Sequence, residues 1–106
     1  HAKNELLLKL IMIKEDFERA VNNTKDTGVI MIHKQLKKVL EEEGVKEIES
    51  VGKELDYELH DVIKTIESED DKIVEEIQKG YLLGDKVLRT SKVILGNGKI
   101  GGNQNG

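Results

Sequence analysis

The stretch IQKGYLLGDKVLRTSKVIL, residues 77–95, decides the fold because it combines β-type alternation with two glycine breaks. Residues 87–94 are rich in β-branched side chains and predict one half-buried strand. Residues 73–81 predict the strand before it, and Gly84 between the two favours a turn that needs a positive φ. Gly80, inside a strand pattern, indicates a bulge or a close backbone approach. The pattern therefore predicts a β-hairpin near the C-terminus.

Two amphipathic helices are predicted upstream of this hairpin. The first covers residues 3–22, and the second covers residues 27–43, with Asp26 or Thr27 as its cap and Gly44 as its stop. The short polar break between them implies antiparallel packing. The stripes expected to pack together are Leu6, Leu10, Ile13, Phe17 and Ala20 in the first helix and Val29, Ile32, Leu36 and Val39 or Leu40 in the second.

A second apolar surface on the helix pair has no predicted cover within the chain. It consists of Leu7, Ile11, Ile30 and Met31. A dimeric four-helix bundle would bury it, so these residues are the predicted dimer interface. The alternative is that the C-terminal sheet of the same chain packs there.

After Gly44 the spacing of apolar residues changes from about 3.6 to 2. Residues 45–50, 55–57 and 60–67 predict further extended segments, and an acidic turn follows at residues 68–71. Together with the hairpin, these segments predict a small, mostly antiparallel β domain.

The sequence thus predicts an α+β fold in three parts. Residues 1–43 form the helical dimerisation region, and residues 44–95 form the β domain. Residues 96–106 are rich in glycine and asparagine, a composition that predicts a disordered tail.

Composition excludes several functional classes. The net charge is −4 and charges of both signs are interspersed, which argues against a nucleic-acid partner. The absence of cysteine excludes disulfides and thiolate metal sites, and fits a reducing compartment. The apolar runs are far shorter than the roughly 18 residues of a membrane span, and no signal-peptide pattern is visible. A soluble protein with no membrane partner is expected.

No catalytic or metal-binding pattern emerges from the titratable residues. His60 is interpreted as structural, because no serine or cysteine nucleophile accompanies it. His33 lies on a polar helix face and is expected to be solvated. The acidic residues 67–71 match no calcium loop, and residues 96–99 lack the features of a phosphate-binding loop. We therefore expect an interaction protein without cofactor or metal, rather than an enzyme.

The hairpin also resembles the C-terminal signature of the GrpE family through Gln78, Gly80, Tyr81 and Arg89. The resemblance covers roughly residues 6–95 and departs from the family pattern at Met12, Tyr57 and Thr90. Met12 and Tyr57 stand where the family has proline, and Thr90 stands where it has proline or a small residue. Three further blocks agree in order and spacing: FERA at residues 17–20, GVIMIHKQLKKVLEEEGVKEI at 28–48 and LDYELHDV at 55–62.

This resemblance implies a homodimeric nucleotide exchange factor of a DnaK-type chaperone. In the family, the β domain and the adjoining end of the helical bundle bind the ATPase domain and hold its nucleotide cleft open. The resemblance also implies a cytoplasmic protein, or a mitochondrial matrix protein in a eukaryote, and makes His60 a residue that fixes the entry of a strand. The alternatives are an adaptor dimer without effect on the nucleotide and, more remotely, a small-molecule enzyme.

The resemblance further implies six partner-binding positions: Arg19 and Gly28 on the helices, and Leu55, Ile77, Lys86 and Leu95 on the β domain. All of them except Arg19 also have a simpler interpretation. Leu55, Ile77 and Leu95 fit a hydrophobic core. Lys86 fits a solvated turn, and Gly28 fits an ordinary helix start.

Overall fold

The computed structural model describes residues 2–100 and divides the chain into two compact units. His1–Lys46 is the helical unit and Glu47–Gly106 is the β unit. The predicted α+β class is confirmed, with two helices followed by six strands.

The helical unit contains α1 (Ala2–Val21) and α2 (Thr27–Glu42). Asp26 caps α2, since its Oδ1 accepts hydrogen bonds from the backbone N–H groups of Gly28 at 2.8 Å and Val29 at 3.4 Å. Gly44 follows the helix with a φ of 92°, a conformation that glycine adopts without steric cost. The predicted start and stop of this helix are therefore explained by local chemistry.

Two contacts between side chains show that the helices run antiparallel. Lys3 Nζ near the start of α1 lies 3.7 Å from Glu43 Oε1, just after the end of α2. His33 Nε2 in α2 lies 3.5 Å from Glu18 Oε2 in α1. The prediction for His33 was wrong: this side chain is largely buried rather than solvated, because it lies on the face that meets α1.

The predicted choice of packed stripe on α1 was also wrong. Leu7, Ile11 and Lys14 are buried, whereas Leu6 and Ile13 of the predicted stripe are 57% and 46% exposed. The two stripes lie about 100° apart on the helix, and both are apolar in its first half. Periodicity counts Lys14 as polar, but its whole side chain is buried, and its Nζ lies 3.6 Å from Glu18 Oε2.

The six strands form two three-stranded sheets, in the orders β1-β4-β5 and β2-β6-β3. Strand β6 is central in its sheet, parallel to β2 and antiparallel to β3, and β4 is antiparallel to β5. The strands are β1 (Val45–Glu47), β2 (His60–Ile66), β3 (Ile73–Gln78), β4 (Tyr81–Leu83), β5 (Lys86–Arg89) and β6 (Ser91–Gly96).

The single long hairpin predicted from residues 73–94 is replaced by four shorter strands. The turn at Gly84 is present, but β3 and β6 belong to one sheet, whereas β4 and β5 belong to the other. The chain passes between the sheets at Gly80 and again at Thr90. Alternation continues across both points, so a period-2 pattern does not reveal the change of sheet.

Gly80 and Ser91 lie against each other where the chain crosses between the sheets. A Cβ added at Gly80 would lie 2.6 Å from Ser91 Oγ and 2.8 Å from the Arg89 carbonyl oxygen, and would collide with the Ser91 nitrogen. Ser91 Oγ accepts hydrogen bonds from Gly80 N–H and from the Ser50 hydroxyl, both at 3.0 Å. The predicted close backbone approach at Gly80 is confirmed. We call this contact the sheet crossing.

The core of the β unit surrounds the sheet crossing. Tyr81 follows Gly80 directly and Val93 lies two residues after Ser91, and both are buried with Ile48 and Ile73. The Ile48 N–H donates to the Gly80 carbonyl at 2.9 Å. The buried hydroxyl groups of Ser50 and Ser91 therefore form hydrogen bonds that join separate segments of backbone inside the apolar core.

Two segments differ from the predicted strands and tail. Residues 55–57 are not a strand, because Leu55 and Asp56 lie in a loop and Tyr57 opens a turn. Gly96 ends β6, and the following backbone is hydrogen-bonded to residues 66–70, so the predicted disorder is wrong for residues 96–100. The remainder of the predicted tail, residues 101–106, lies outside the described residues.

We expect Gly80→Ala to destabilise the β unit by about 3 kcal/mol or more, because the new methyl group meets backbone atoms that cannot rotate away. Urea unfolding followed by circular dichroism measures this loss. Gly84→Ala is the control: its Cβ meets nothing within 4 Å, and its φ of 60° costs only about 1 kcal/mol. Equal losses in both variants would contradict the importance of the sheet crossing.

Candidate partner-binding surfaces

The two predicted helical positions flank the loop between α1 and α2. Arg19 is exposed near the end of α1, pairs with Asp16, and accepts a hydrogen bond from Asn23 Nδ2 on its carbonyl at 3.0 Å. Gly28 is exposed in the first turn of α2, and an added Cβ would lie 3.1 Å from Asp26 Oδ1. The structure thus places these two residues at the same end of the helical unit. It also gives Gly28 a local reason to be small.

The four predicted positions of the β unit differ in exposure. Ile77 on β3 is 53% exposed and is therefore not a core residue. Lys86 opens β5 and is exposed, whereas Leu55 and Leu95 are half-buried. Ile77 and Leu95 share a sheet, Lys86 belongs to the other sheet, and Leu55 lies in the loop before β2.

The residues that carry the family signature have structural roles. Arg89 Nε and Nη2 donate to the Lys79 carbonyl at 3.0 and 2.8 Å, and the guanidinium lies 5.4 Å from the centre of the Tyr81 ring. Tyr81 itself is buried. Gly80 allows the backbone approach at the sheet crossing. The signature therefore specifies how the chain crosses between sheets.

The predicted dimer residues are divided between buried and exposed positions. Leu7 and Ile11 are buried within the single chain, so the premise that they lack cover was wrong. Ile30 is half-buried and Met31 is 58% exposed. Exposed apolar side chains instead lie along the stripes that were expected to pack inside: Leu6 and Ile13 on α1, and Ile32 and Val39 on α2.

A lysine between two carboxylates borders a groove on the β unit. Lys79 Nζ lies 3.4 Å from Glu47 Oε1 and 3.5 Å from Glu76 Oε1. Partial burial lowers the pKa of Lys79, but the two carboxylates outweigh it and raise the pKa above its usual value of 10.5. Glu76 is the more buried acid, and its Oε2 has no hydrogen-bond partner among the described residues. The groove is lined by Glu47, Ile48, Glu49, Ser50, Val51, Lys53, Glu76 and Lys79.

His60 has the structural role that was expected from the sequence. The ring Nδ1 of His60 accepts a hydrogen bond from the backbone N–H of Asp56 at 3.0 Å, and the backbone N–H of His60 donates to the Asp56 carbonyl at 2.8 Å. These bonds hold the loop against the first residue of β2. Its Nε2 is buried and lacks a hydrogen-bond partner in the described part of the chain.

Within residues 2–100, no group of three or more histidine or acidic side chains is arranged to hold a metal ion. Neither helix in that range combines the length and hydrophobicity needed to cross a membrane.

Three features of the β unit were not predicted from the sequence. The Glu47–Lys79 pair joins residues 32 positions apart, so no sequence spacing could have indicated that Lys79 lies between Glu47 and Glu76. The Ser50–Ser91 hydrogen bond joins residues 41 positions apart. Tyr57 is strongly exposed, and its replacement of a family proline was the only signal available.

These observations define a helical-hairpin protein with a small two-sheet β unit that presents apolar and charged surface. The chain belongs to the GrpE family, whose model matches residues 1–97. It is 39% identical over 98 residues to Protein GrpE of Picrophilus torridus, covering 92% of this chain and 53% of that relative. It is 52% identical over 71 residues to Protein GrpE of Chlorobaculum tepidum, covering 64% and 37% respectively. The chain spans about half the length of the former relative.

We expect Lys79→Met to destabilise the β unit by at most about 1 kcal/mol, because its side chain is 45% exposed and solvent weakens both ion pairs. A raised pKa stabilises the fold below pH 10.5, and this contribution disappears as pH rises through the higher folded value. The difference between wild type and variant in urea unfolding should therefore vanish at strongly alkaline pH.

Lys53→Met is the matched control for this prediction, since Lys53 lines the same groove but forms no ion pair among the described residues. A pH-independent difference for Lys79→Met, or an equal one for Lys53→Met, would contradict the network.

Proposed function

We propose that this protein is a nucleotide exchange factor that binds the ATPase domain of a DnaK-type chaperone and accelerates ADP release. The observation that supports this proposal is the exposure of Ile77 in a chain that belongs to the GrpE family. Ile77 is apolar, and the family resemblance implies a partner contact at its position. The exposed Lys86 on β5 and Arg19 on α1 add charged positions of the same kind. The protein acts as a binding partner in this proposal and performs no reaction on the nucleotide.

The mechanism follows from thermodynamic linkage. A protein that binds the open, nucleotide-free ATPase domain better than the closed ADP-bound form must lower ADP affinity by the same factor that ADP lowers its own. A shift of about 10³ to 10⁴ needs roughly 4 to 5.5 kcal/mol of differential binding energy. One protein interface with a few well-buried contacts supplies this amount.

The arrangement of the β unit suits this task. The sheet crossing and the Arg89 hydrogen bonds hold the strand that carries Ile77 and the strand that carries Leu95 in one rigid unit. A rigid surface loses little conformational entropy on binding. Binding energy can then be used to hold the partner open.

We expect Gly28→Asp to weaken the acceleration of ADP release at least tenfold, because it places bulk and an unpaired charge at a predicted contact. Fluorescent ADP bound to the cognate full-length chaperone provides the measurement. The control is Thr27→Asp, which adds the same charge at the neighbouring exposed position. Equal effects of the two variants would contradict a specific contact at Gly28.

The wild-type protein tests the function itself. Release should accelerate and saturate as the protein is titrated. Binding without acceleration would instead indicate the adaptor alternative, and neither binding nor acceleration would contradict the exchange-factor proposal.

We also propose that the active form is a homodimer. Its support is the exposed apolar stripe on each helix, which a second helical hairpin would cover as a four-helix bundle. Met31 and Ile30 remain candidates for this interface. Leu7 and Ile11 are buried in the single chain and are therefore no longer proposed as the centre of the interface. The proposed centre consists of exposed side chains that a second copy can reach without unfolding the helical hairpin: Leu6, Ile13, Ile32 and Val39.

We expect sedimentation equilibrium at micromolar concentration to give twice the chain mass of 12.0 kDa for the wild type. Ile13→Glu should shift the protein to monomer, because it buries a charge in the interface. Met12→Glu is the control: Met12 is 60% exposed but lies about 120° from the stripe centre. A wild-type monomer, or equal dissociation by both variants, would contradict the proposed interface.

A further inference from the structure

Tyr57 is the most exposed large apolar side chain among the described residues, at 83%. The other tyrosine, Tyr81, is buried in the core of the β unit. An aromatic side chain of this kind loses favourable burial unless a partner covers it. Its exposure alone does not define a partner, so its backbone and its charged neighbours have to be considered.

The backbone that carries Tyr57 is held by a dense set of hydrogen bonds at residues 56–60, which we call the Asp56 turn. The Asp56 carbonyl accepts from the N–H groups of Leu59 at 3.0 Å and His60 at 2.8 Å. Asp56 Oδ1 accepts from the Glu58 N–H at 2.9 Å, and the Asp56 N–H donates to the buried His60 Nδ1 at 3.0 Å. Both ends of the turn are therefore fixed to β2.

This fixed backbone lowers the entropic cost of using Tyr57 as a contact. The side chain has only two variable torsion angles, and the turn beneath it is already ordered. Tyrosine is also among the residues that most often dominate the energy of protein interfaces. The geometry is that of a pre-organised anchor.

The charges around the Asp56 turn indicate the chemistry of the partner. The side chains of Glu54, Asp56, Glu58 and Asp61 are exposed acids on both sides of Tyr57 in the sequence. They outnumber the nearby exposed cations Lys53 and Lys92, the second of which lies opposite Asp61 in the pairing of β2 with β6. A nucleic acid or an anionic membrane would be repelled by this surface. A protein surface with an apolar slot rimmed by lysine or arginine would be complementary to it.

We propose that Tyr57 anchors the protein to a basic-rimmed apolar slot on the ATPase domain of its chaperone, with the acids of the Asp56 turn facing the rim. This inference rests on the proposed exchange function and adds a specificity-determining residue to it. The family resemblance implies proline at this position, so the contact distinguishes this protein from relatives that lack an aromatic side chain there. Leu55, two residues earlier in the same loop, is half-buried and continues the apolar surface.

The test measures the Kd for the cognate full-length chaperone by calorimetry, alongside the rate of fluorescent ADP release. Tyr57→Ala should raise the Kd at least tenfold, and Tyr57→Phe should stay within about twofold, because most of the contact is apolar. Tyr57→Lys should bind more weakly than Tyr57→Ala, because it places a cation against the basic rim. Ile63→Ala is the matched control, since Ile63 is 53% exposed on β2 and should change the Kd less than twofold.

Glu58→Gln tests the charge component separately. It should slow association and flatten the dependence of Kd on salt, with little change in the dissociation rate. Because the side chains of Tyr57, Glu58 and Ile63 are all exposed, circular dichroism should show native folding in all of these variants.

The possible failures are distinguishable. If the wild type neither binds the chaperone nor accelerates ADP release, the exchange function and the anchor are both wrong. If the wild type accelerates release and Tyr57→Ala binds equally well, only the anchor is wrong. Equal loss in Tyr57→Ala and Ile63→Ala would also overturn it, because the effect would then be a general property of exposed apolar surface.

Discussion

The β unit depends on the contact of Gly80 with Ser91. At this point two crossing segments of backbone come so close that no side chain fits between them, and a buried serine hydroxyl accepts the hydrogen bond that strand pairing cannot provide. Each segment leaves one sheet and enters the other here, so both sheets are fixed by one contact. The buried side chains of Tyr81 and Val93 lie close to this contact in the sequence and belong to the core of the β unit.

The surface proposed to bind the partner lies next to this crossing. Lys79 immediately precedes Gly80, and its carbonyl is held by Arg89 while its ammonium lies between Glu47 and Glu76. Ile77 therefore lies on a strand whose end is held by both backbone and charge. These contacts restrict the backbone where the proposed partner would bind, so binding there would lose less conformational entropy.

The helical unit has more apolar surface than the packing of its two antiparallel helices covers. On α1 the buried side chains are Leu7, Ile11 and Lys14, and Lys14 and His33 of α2 both lie close to Glu18. This arrangement leaves the more regular stripe of Leu6 and Ile13 at the surface. The regularity of that stripe is what a symmetric bundle requires, so the surface that looked like an internal core is the better candidate for the dimer.

The sequence by itself determined the α+β class, the two helices with their cap at Asp26 and stop at Gly44, the turn at Gly84, the close approach at Gly80 and the family. These features depend on neighbours within a few residues, or on motifs in a fixed order, and both are readable along the chain. Tertiary structure alone decided which stripe of α1 is buried, where the predicted hairpin changes sheets, and that Lys79 joins Glu47 to Glu76. Periodicity fixes the face on which a residue lies but not what that face meets, because the partner is brought there by a distant part of the chain.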